Sequence, residues 1–310
     1  MIRSGALDFK TADIIKMLTP MMHRMTKADV AENLPELNYQ THEVLLSTNK
    51  KGALQSQDEA YRAARDDAIL ALSQEVGDEI PMSHALQILT RCRQILVQAE
   101  GLTITKKVIV PDGTQDGKRI DVTTRINWLD NAKINKAIEL TDSLLFEGEN
   151  VVIFTASFNE PLYFLKKYYN ELGVFRAEII DGGNKDVTST MDAWKAGDIN
   201  ILLVNMAAGA EGLNCQKSDK WVGGASHAIL LDLWYNPQRN AQAAARLHRL
   251  DTRLPVFIHS FHAYDSDGGP TADAFIQAMC DNKMWWHDNV TDNEEFRTKT
   301  IKKSDLLKLI

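Results

Sequence analysis

The stretch VVIFTASFNEPLYFLKKYYNELGVFRAEIIDGG, residues 151–183, decides the fold. It opens on a run of strand length, VVIFT, that is apolar up to its final Thr155, passes through a longer helix-like segment, and returns to a second short run, AEII (177–180). An uninterrupted apolar run, unlike an alternating one, marks a strand covered on both faces. The pattern continues in NILLV (200–204), AILLD (228–232) and VFIHSF (256–261), with helices filling most of the gaps. Helices alternating with buried strands predict an α/β domain over residues 127–265, a parallel sheet with helices on both faces. In such sheets ligands gather beyond the carboxyl ends of the strands, so the residues that follow each strand are where chemistry is expected.

Upstream the texture differs. Residues 13–30 are Met-rich and helix-like, Leu34 and Pro35 break the pattern, and LNYQTHEVLLS (37–47) reads as a strand. Helical spacing returns at 55–76 and 83–99, two segments expected to pack as a pair. LTITKKVIV and KRIDVTT flank PDGTQDG, whose Asp-Gly steps predict a β-hairpin, here an exposed excursion. Residues 37–126 are thus grouped as a strand plus a helical protrusion carrying a hairpin.

Composition excludes several classes. A 310-residue chain with 44% hydrophobic and 25% charged residues is ordinary globular protein. A net charge of −7 argues against a protein that coats nucleic acid, while leaving room for a local basic track. Cys92, Cys215 and Cys280 form no CxxC pair, so neither a disulfide framework nor a zinc site is expected; no metal ligand set is assigned. With no signal-like N-terminus and no membrane-length apolar run, the expectation is a soluble, cytoplasmic protein without a membrane partner.

Two segments carry chemistry. NMAAGAEGLNCQ (205–216) follows a strand directly, with Gly209 and Gly212 able to bring backbone close to a ligand. Alone, it reads as an ordinary strand-to-helix turn. In NPQRNAQAAARLHRL (236–250), Asn236 and Pro237 start a helix on which Gln242, Arg246 and Arg249 share one face. A basic stripe is usually solvated surface. Two arginines on one rigid helix can also clamp the γ-phosphate of a nucleotide held by a facing domain, with a planar fork that lysine lacks.

In series, these segments resemble the SWI/SNF-type ATPases of helicase superfamily two. VVIFTASF is similar to that family's motif IV, DGG (181–183) to the segment after the next strand, and AAGAEGLNCQ to motif V. LDLWYNP (231–237) resembles the stretch before motif VI, and QAAARLHR (242–249) resembles motif VI itself. HRMTKADVAENLPE (23–36) looks like the linker between the two motor lobes, NAKINKAIEL like the helix entering the second lobe, and SDLLKLI like the end of a C-terminal helical brace. The Glu-Gly-Leu-Asn of motif V is most similar to bacterial and viral members.

The resemblance implies a RecA-like second lobe, with residues 1–36 as linker and 266–310 as brace. It implies that Arg246 and Arg249 are arginine fingers, that Gln242 sits between nucleotide and DNA, and that Gly209, Glu211, Gly212 and Asn214 shape the nucleotide-side loop. Thr155, Asn205, Trp234 and Asn236 are implied in DNA binding or coupling, and Arg24, Lys27, Lys133 and Lys185 are candidates for the DNA track. ATP with Mg²⁺ is the implied cofactor, and double-stranded DNA and a complementary N-terminal ATPase lobe are the implied partners.

Departures from the family accompany the resemblance. Asn205-Met206-Ala207 stands where Ser-Thr-Arg is usual, Leu250-Asp251-Thr252 replaces Ile-Gly-Gln, and QKSDKWVGGASHA lengthens the run to the next strand. The sequence contains no GxxxxGK[ST] loop and no acidic Mg²⁺-binding pair after an apolar strand, so hydrolysis would need a separate Walker-containing lobe. The alternative is a non-catalytic nucleic-acid- or protein-binding module derived from such a lobe.

Overall fold

The structure is a computed structural model that describes residues 34–50, 55–74, 77–98, 102–110, 118–126, 130–183, 186–207, 212–288 and 300–307. Residues 1–33 of the linker-like segment and the hairpin turn PDGTQDG lie outside the described residues, as do Arg24, Lys27, Lys185, Gly209 and Glu211.

The centre is a six-stranded sheet in the order β1-β9-β8-β5-β7-β6, with every pairing parallel. Its strands are β1 (Leu37–Leu45), β5 (Val151–Thr155), β6 (Ala177–Ile180), β7 (Ile201–Asn205), β8 (His227–Leu230) and β9 (Val256–Tyr264). β5 and β7 are buried at all five positions, as their unbroken apolar runs require. Strand ends differ from the sequence expectation by a residue or two, except β9, which runs on through His262, Ala263 and Tyr264.

One face of the sheet is covered by α3 (Ala132–Phe146) and α4 (Glu160–Leu172), whose Ile134, Ala137, Leu162 and Leu165 pack on Val151, Ile153 and Leu203. The other is covered by α5 (Val187–Ala196) and α6 (Pro237–Ala244), whose Trp194, Ala243 and Ala244 pack on Val152, Phe154 and Leu202. This is the expected RecA-like arrangement.

The strand at 37–45, grouped by sequence with the protrusion, pairs with β9 from Leu37↔Val256 to Leu45↔Tyr264 and becomes the sheet's edge. Its apolar pattern gives a strand; only the tertiary fold supplies so distant a partner. The protrusion contains α1 (Gln57–Gln74), β2 (Glu79–Pro81) and α2 (Met82–Val97), with β3 (Leu102–Val110) and β4 (Lys118–Ile126) paired antiparallel as the expected hairpin. α1 and α2 share a buried cluster with Phe275 and Ile276 of α7 (Ala272–Asp288). The C-terminal segment is not wholly helical. β10 (Thr300–Lys302) pairs antiparallel with β2 before the short α8 (Lys303–Leu307), whose Leu306 enters the same cluster.

The histidines of neighbouring strands form a row across the α3 side of the sheet. His42 Nε2 lies 3.1 Å from His259 Nδ1, and His259 Nε2 lies 3.1 Å from His227 Nδ1. Burial and the two neighbouring imidazoles push His259 down to about 4. Burial also lowers His42, helped by Lys136 against Glu139, and lowers His227 against the opposing pull of Glu149 and Glu147. Each contact needs one donor and one acceptor, which neutral rings supply.

Candidate functional site

The segment after β7 and the segment after α6 are stitched together. Cys215 N–H donates to Arg246 O at 3.0 Å, and the Arg249 guanidinium donates through Nη2 to Leu213 O at 2.9 Å. The sequence expectation placed both arginines on one continuous helix, but α6 ends at Ala244. Its last turn tightens, with Arg246 N–H donating to Ala243 O and Leu247 N–H to Ala244 O, the three-residue spacing common at helix termini. The Thr252 hydroxyl then closes the turn, accepting from Arg249 N–H at 2.9 Å and donating to Leu247 O at 2.8 Å. The arginines still point the same way: both line a cleft of about 610 Å³.

Asn214 and Gln242 line this cleft too, so four residues singled out from the sequence meet there. Gly212, two residues before Asn214, is in the left-handed region, φ 79°, and does not line the cleft. Arg249 Nε is buried without a hydrogen-bond partner, and among the described residues no carboxylate pairs with this guanidinium. The neighbouring Cys215 thiol is fully buried and pushed up to about 12, which leaves it without nucleophilic character near neutral pH.

Sequence reasoning missed the other wall. Gln216, Lys220, Trp221 and Asp251 also line the cleft. Asp251 accepts from Gln216 Nε2 at 2.8 Å, Ser218 Oγ at 3.2 Å and Lys220 Nζ at 3.1 Å. Partial burial acts to raise its carboxyl, but Gln216 and Lys220 outweigh it and hold Asp251 below the usual carboxylate range. Two departures noted separately in the sequence, Asp251 and the lengthened run after Cys215, are therefore one construction: the carboxylate anchors the insertion. The signal was the coincidence of the two departures.

The remaining candidates lie elsewhere. Thr155 and Asn205 face each other at the ends of β5 and β7 and are both buried. Asn205 donates to the Asn159 side chain and accepts from Ala207 N–H at 2.8 Å, so it shapes the turn internally. Asn236 caps α6, accepting from Gln238 N–H at 3.1 Å. Trp234 is half-buried, with the Arg239 guanidinium over its ring at 4.6 Å and its backbone N and O both held by the Asn240 amide at 2.9 Å.

Lys133 belongs to no exposed track. It is fully buried, 2.5 Å from Asp273 Oδ2, and reaches Leu231 O at 3.4 Å. Nearby, Asp232 at the end of β8 accepts from Ala156 N–H at 2.7 Å and from Arg93 of α2 at 3.4 Å. Burial raises the Asp232 carboxyl, with Arg93 opposing. This network ties sheet, protrusion and α7 together.

Residues 132–251 match the family of the helicase conserved C-terminal domain, a span that contains the whole cleft. The segment is similar to the helicase C-terminal lobe of SWI/SNF-type proteins. Among similar proteins, transcription termination factor 2 of Drosophila melanogaster is 29% identical over 175 residues, covering 54% of this chain and 15% of that protein. A probable global transactivator of Orgyia pseudotsugata multicapsid polyhedrosis virus is 21% identical over 299 residues, covering 94% of this chain and 55% of the relative. The lobe thus spans at most about half the length of these relatives, which come from an insect and a virus. In solved structures, the C-terminal part of the Fun30 ATPase domain superposes with TM-score 0.57 at 16% identity, covering 89% of this chain and 96% of that one. The Sulfolobus solfataricus SWI2/SNF2 ATPase core in complex with dsDNA gives 0.58 at 16%, covering 96% and 55%. Among the described residues, no helix of the lobe is long and apolar enough to cross a membrane.

Proposed function

We propose that this chain is the second motor lobe of an ATP-dependent DNA translocase or helicase-like enzyme, completed by a separate Walker-containing lobe. The observation that carries the proposal is the convergence of Arg246, Arg249, Gln242 and Asn214 on one open cleft, with an Arg249 N–H still to be satisfied. A guanidinium held by its neighbours and lacking a carboxylate partner is placed to meet an anion from outside. Closure of the facing lobe over ATP and Mg²⁺ would bring both guanidinium groups to the γ-phosphate, where the metal neutralises charge on the phosphate oxygens. The arginines would stabilise the charge that develops as the phosphoryl group leaves, a contribution of about 10³ or more in rate for such fingers. Opening after hydrolysis would move the lobes relative to one another and shift the grip on DNA. Double-stranded DNA is the proposed track, by analogy with the Sulfolobus core, which was solved in complex with dsDNA.

A non-catalytic binding module is the second reading, favoured by Asn205, whose amide is engaged within the protein where the family has a hydroxyl and nearby cation. Mixing the purified chain with a Walker-containing lobe and measuring ATP hydrolysis with and without duplex DNA separates the two. DNA-stimulated hydrolysis that needs both polypeptides supports the motor; none with any such lobe supports the module.

A further inference from the structure

The lining of the cleft comes from two chemically different segments, and the arginines account for only one of them. The other is the insertion. Gly223 and Gly224 let it lie against its neighbours: a Cβ on Gly223 would stand 1.9 Å from Trp194 O, and one on Gly224 2.3 Å from Gln216 O. Gly223 N–H donates to Lys195 O at 2.9 Å, and a short parallel bridge joins Gln216 to Ala225. The loop is thus fixed at its base by backbone and along its length by Asp251.

At its tip is Trp221, whose indole N–H donates to Gln216 O at 3.0 Å while the Lys195 ammonium lies 5.7 Å from the ring centroid. The ring is half-buried and lines the cleft. A tryptophan held at its polar edge is an immobilised aromatic surface, so little rotamer freedom is left to lose when a flat ligand stacks on it. The cavity, about 610 Å³, lies within the range for a drug-sized ligand. The same cleft is lined by the Arg246 and Arg249 guanidinium groups, the Asn214, Gln216 and Gln242 amides, the Lys220–Asp251 pair and a pinned aromatic ring, so it offers groups for the phosphates, sugar and base of a nucleotide.

Resting on the assignment of this cleft to nucleotide, we propose that Trp221 is the platform on which the base of the bound nucleotide stacks, with its phosphates directed toward Arg246 and Arg249. The insertion is then a base-binding element supplied by the second lobe. Because every base presents a π-face, the platform favours nucleotides over bare polyphosphate and discriminates weakly between ATP and GTP.

The test is equilibrium binding of ATP, GTP and inorganic tripolyphosphate to the full chain, by titration calorimetry, for the wild type, Trp221→Ala, Trp221→Phe and Arg249→Ala. Loss of base stacking is expected to weaken ATP and GTP binding about tenfold in Trp221→Ala, down to the level of tripolyphosphate, which itself binds as to the wild type. Trp221→Phe retains part of the preference, and unfolding midpoints show that the variants are folded. An ATP preference unchanged in Trp221→Ala, or none in the wild type, overturns the proposal, as does the absence of binding at millimolar concentration. The arginine assignment fails separately: if Arg249→Ala does not weaken tripolyphosphate binding while Trp221→Ala removes the base preference, the platform stands and the finger does not.

Discussion

Two cationic clusters among the described residues are built on opposite terms. Around the end of β8, Lys133 meets Asp273 and Arg93 meets Asp232 inside the protein; Ala156 N–H donates to the other oxygen of Asp232, and Ala263 N–H donates to the Asp273 oxygen that Lys133 also contacts. In the cleft beyond α6, Arg249 has a carbonyl for one N–H, a buried Nε without a partner, and open volume in front of it. The first cluster satisfies its own charges and so works for the fold. The second leaves capacity for an anion, as the proposed nucleotide role requires. Basic residues near strand ends look alike in sequence, and the difference between them is in what they face.

The largest expected effect breaks the cleft side of this contrast. In the reconstituted enzyme, both Arg246→Ala and Arg246→Lys should lower DNA-stimulated ATP turnover by about 10³, since a lysine supplies charge without the fork. Recovery of turnover by the lysine variant would mean that charge alone is needed there.

On the fold side, Lys133→Met leaves a mostly buried Asp273, 15% exposed, without its cation and should cost about 3 to 5 kcal/mol of stability in denaturant unfolding. A change under about 1 kcal/mol, the size of a surface ion pair, would place this pair with exposed ones.

A smaller effect is expected from acid. The histidine row is held neutral, with His259 pushed down to about 4, so the unfolded chain binds more protons below the ordinary histidine value near 6.5. Stability is therefore fully present above about pH 6.5 and lost as pH falls toward 4, by about 1 to 2 kcal/mol between pH 6.5 and 5. His259→Asn should flatten that slope; an equally steep profile in the variant would remove the row as its source. Least of all, Lys220→Ala should change stability by less than about 1 kcal/mol, because its pair with Asp251 is exposed on the lysine side.

Much of the fold was legible in the sequence because fully buried strands cannot hide: VVIFT and ILLVN admit few readings other than central parallel strands. The edge strand LNYQTHEVL was legible as a strand but not as a member of this sheet, since its partner is more than two hundred residues away. Where α6 stops was hidden as well, because QAAARLHRL keeps helical composition past Ala244 and the closing device is the hydroxyl of Thr252. At the site, Arg246, Arg249, Gln242 and Asn214 came from motif order. Trp221 and Asp251 were visible only as departures, since neither means anything until the carboxylate and the insertion are seen in contact. Lys133 misled for the opposite reason: a lysine is expected at the surface, and only the fold reveals Asp273 beside it.

The contrast between the clusters comes down to Arg249. On a single Arg249→Ala protein, unfolding free energy and DNA-stimulated ATP turnover with the Walker-containing lobe should be measured together. Turnover lower by about 10³ or more, with stability changed by only about 1 kcal/mol for the lost bond to Leu213, is the result expected of a guanidinium kept for a ligand. A turnover loss below tenfold, or a stability loss as large as that from breaking the Lys133–Asp273 pair, would contradict it.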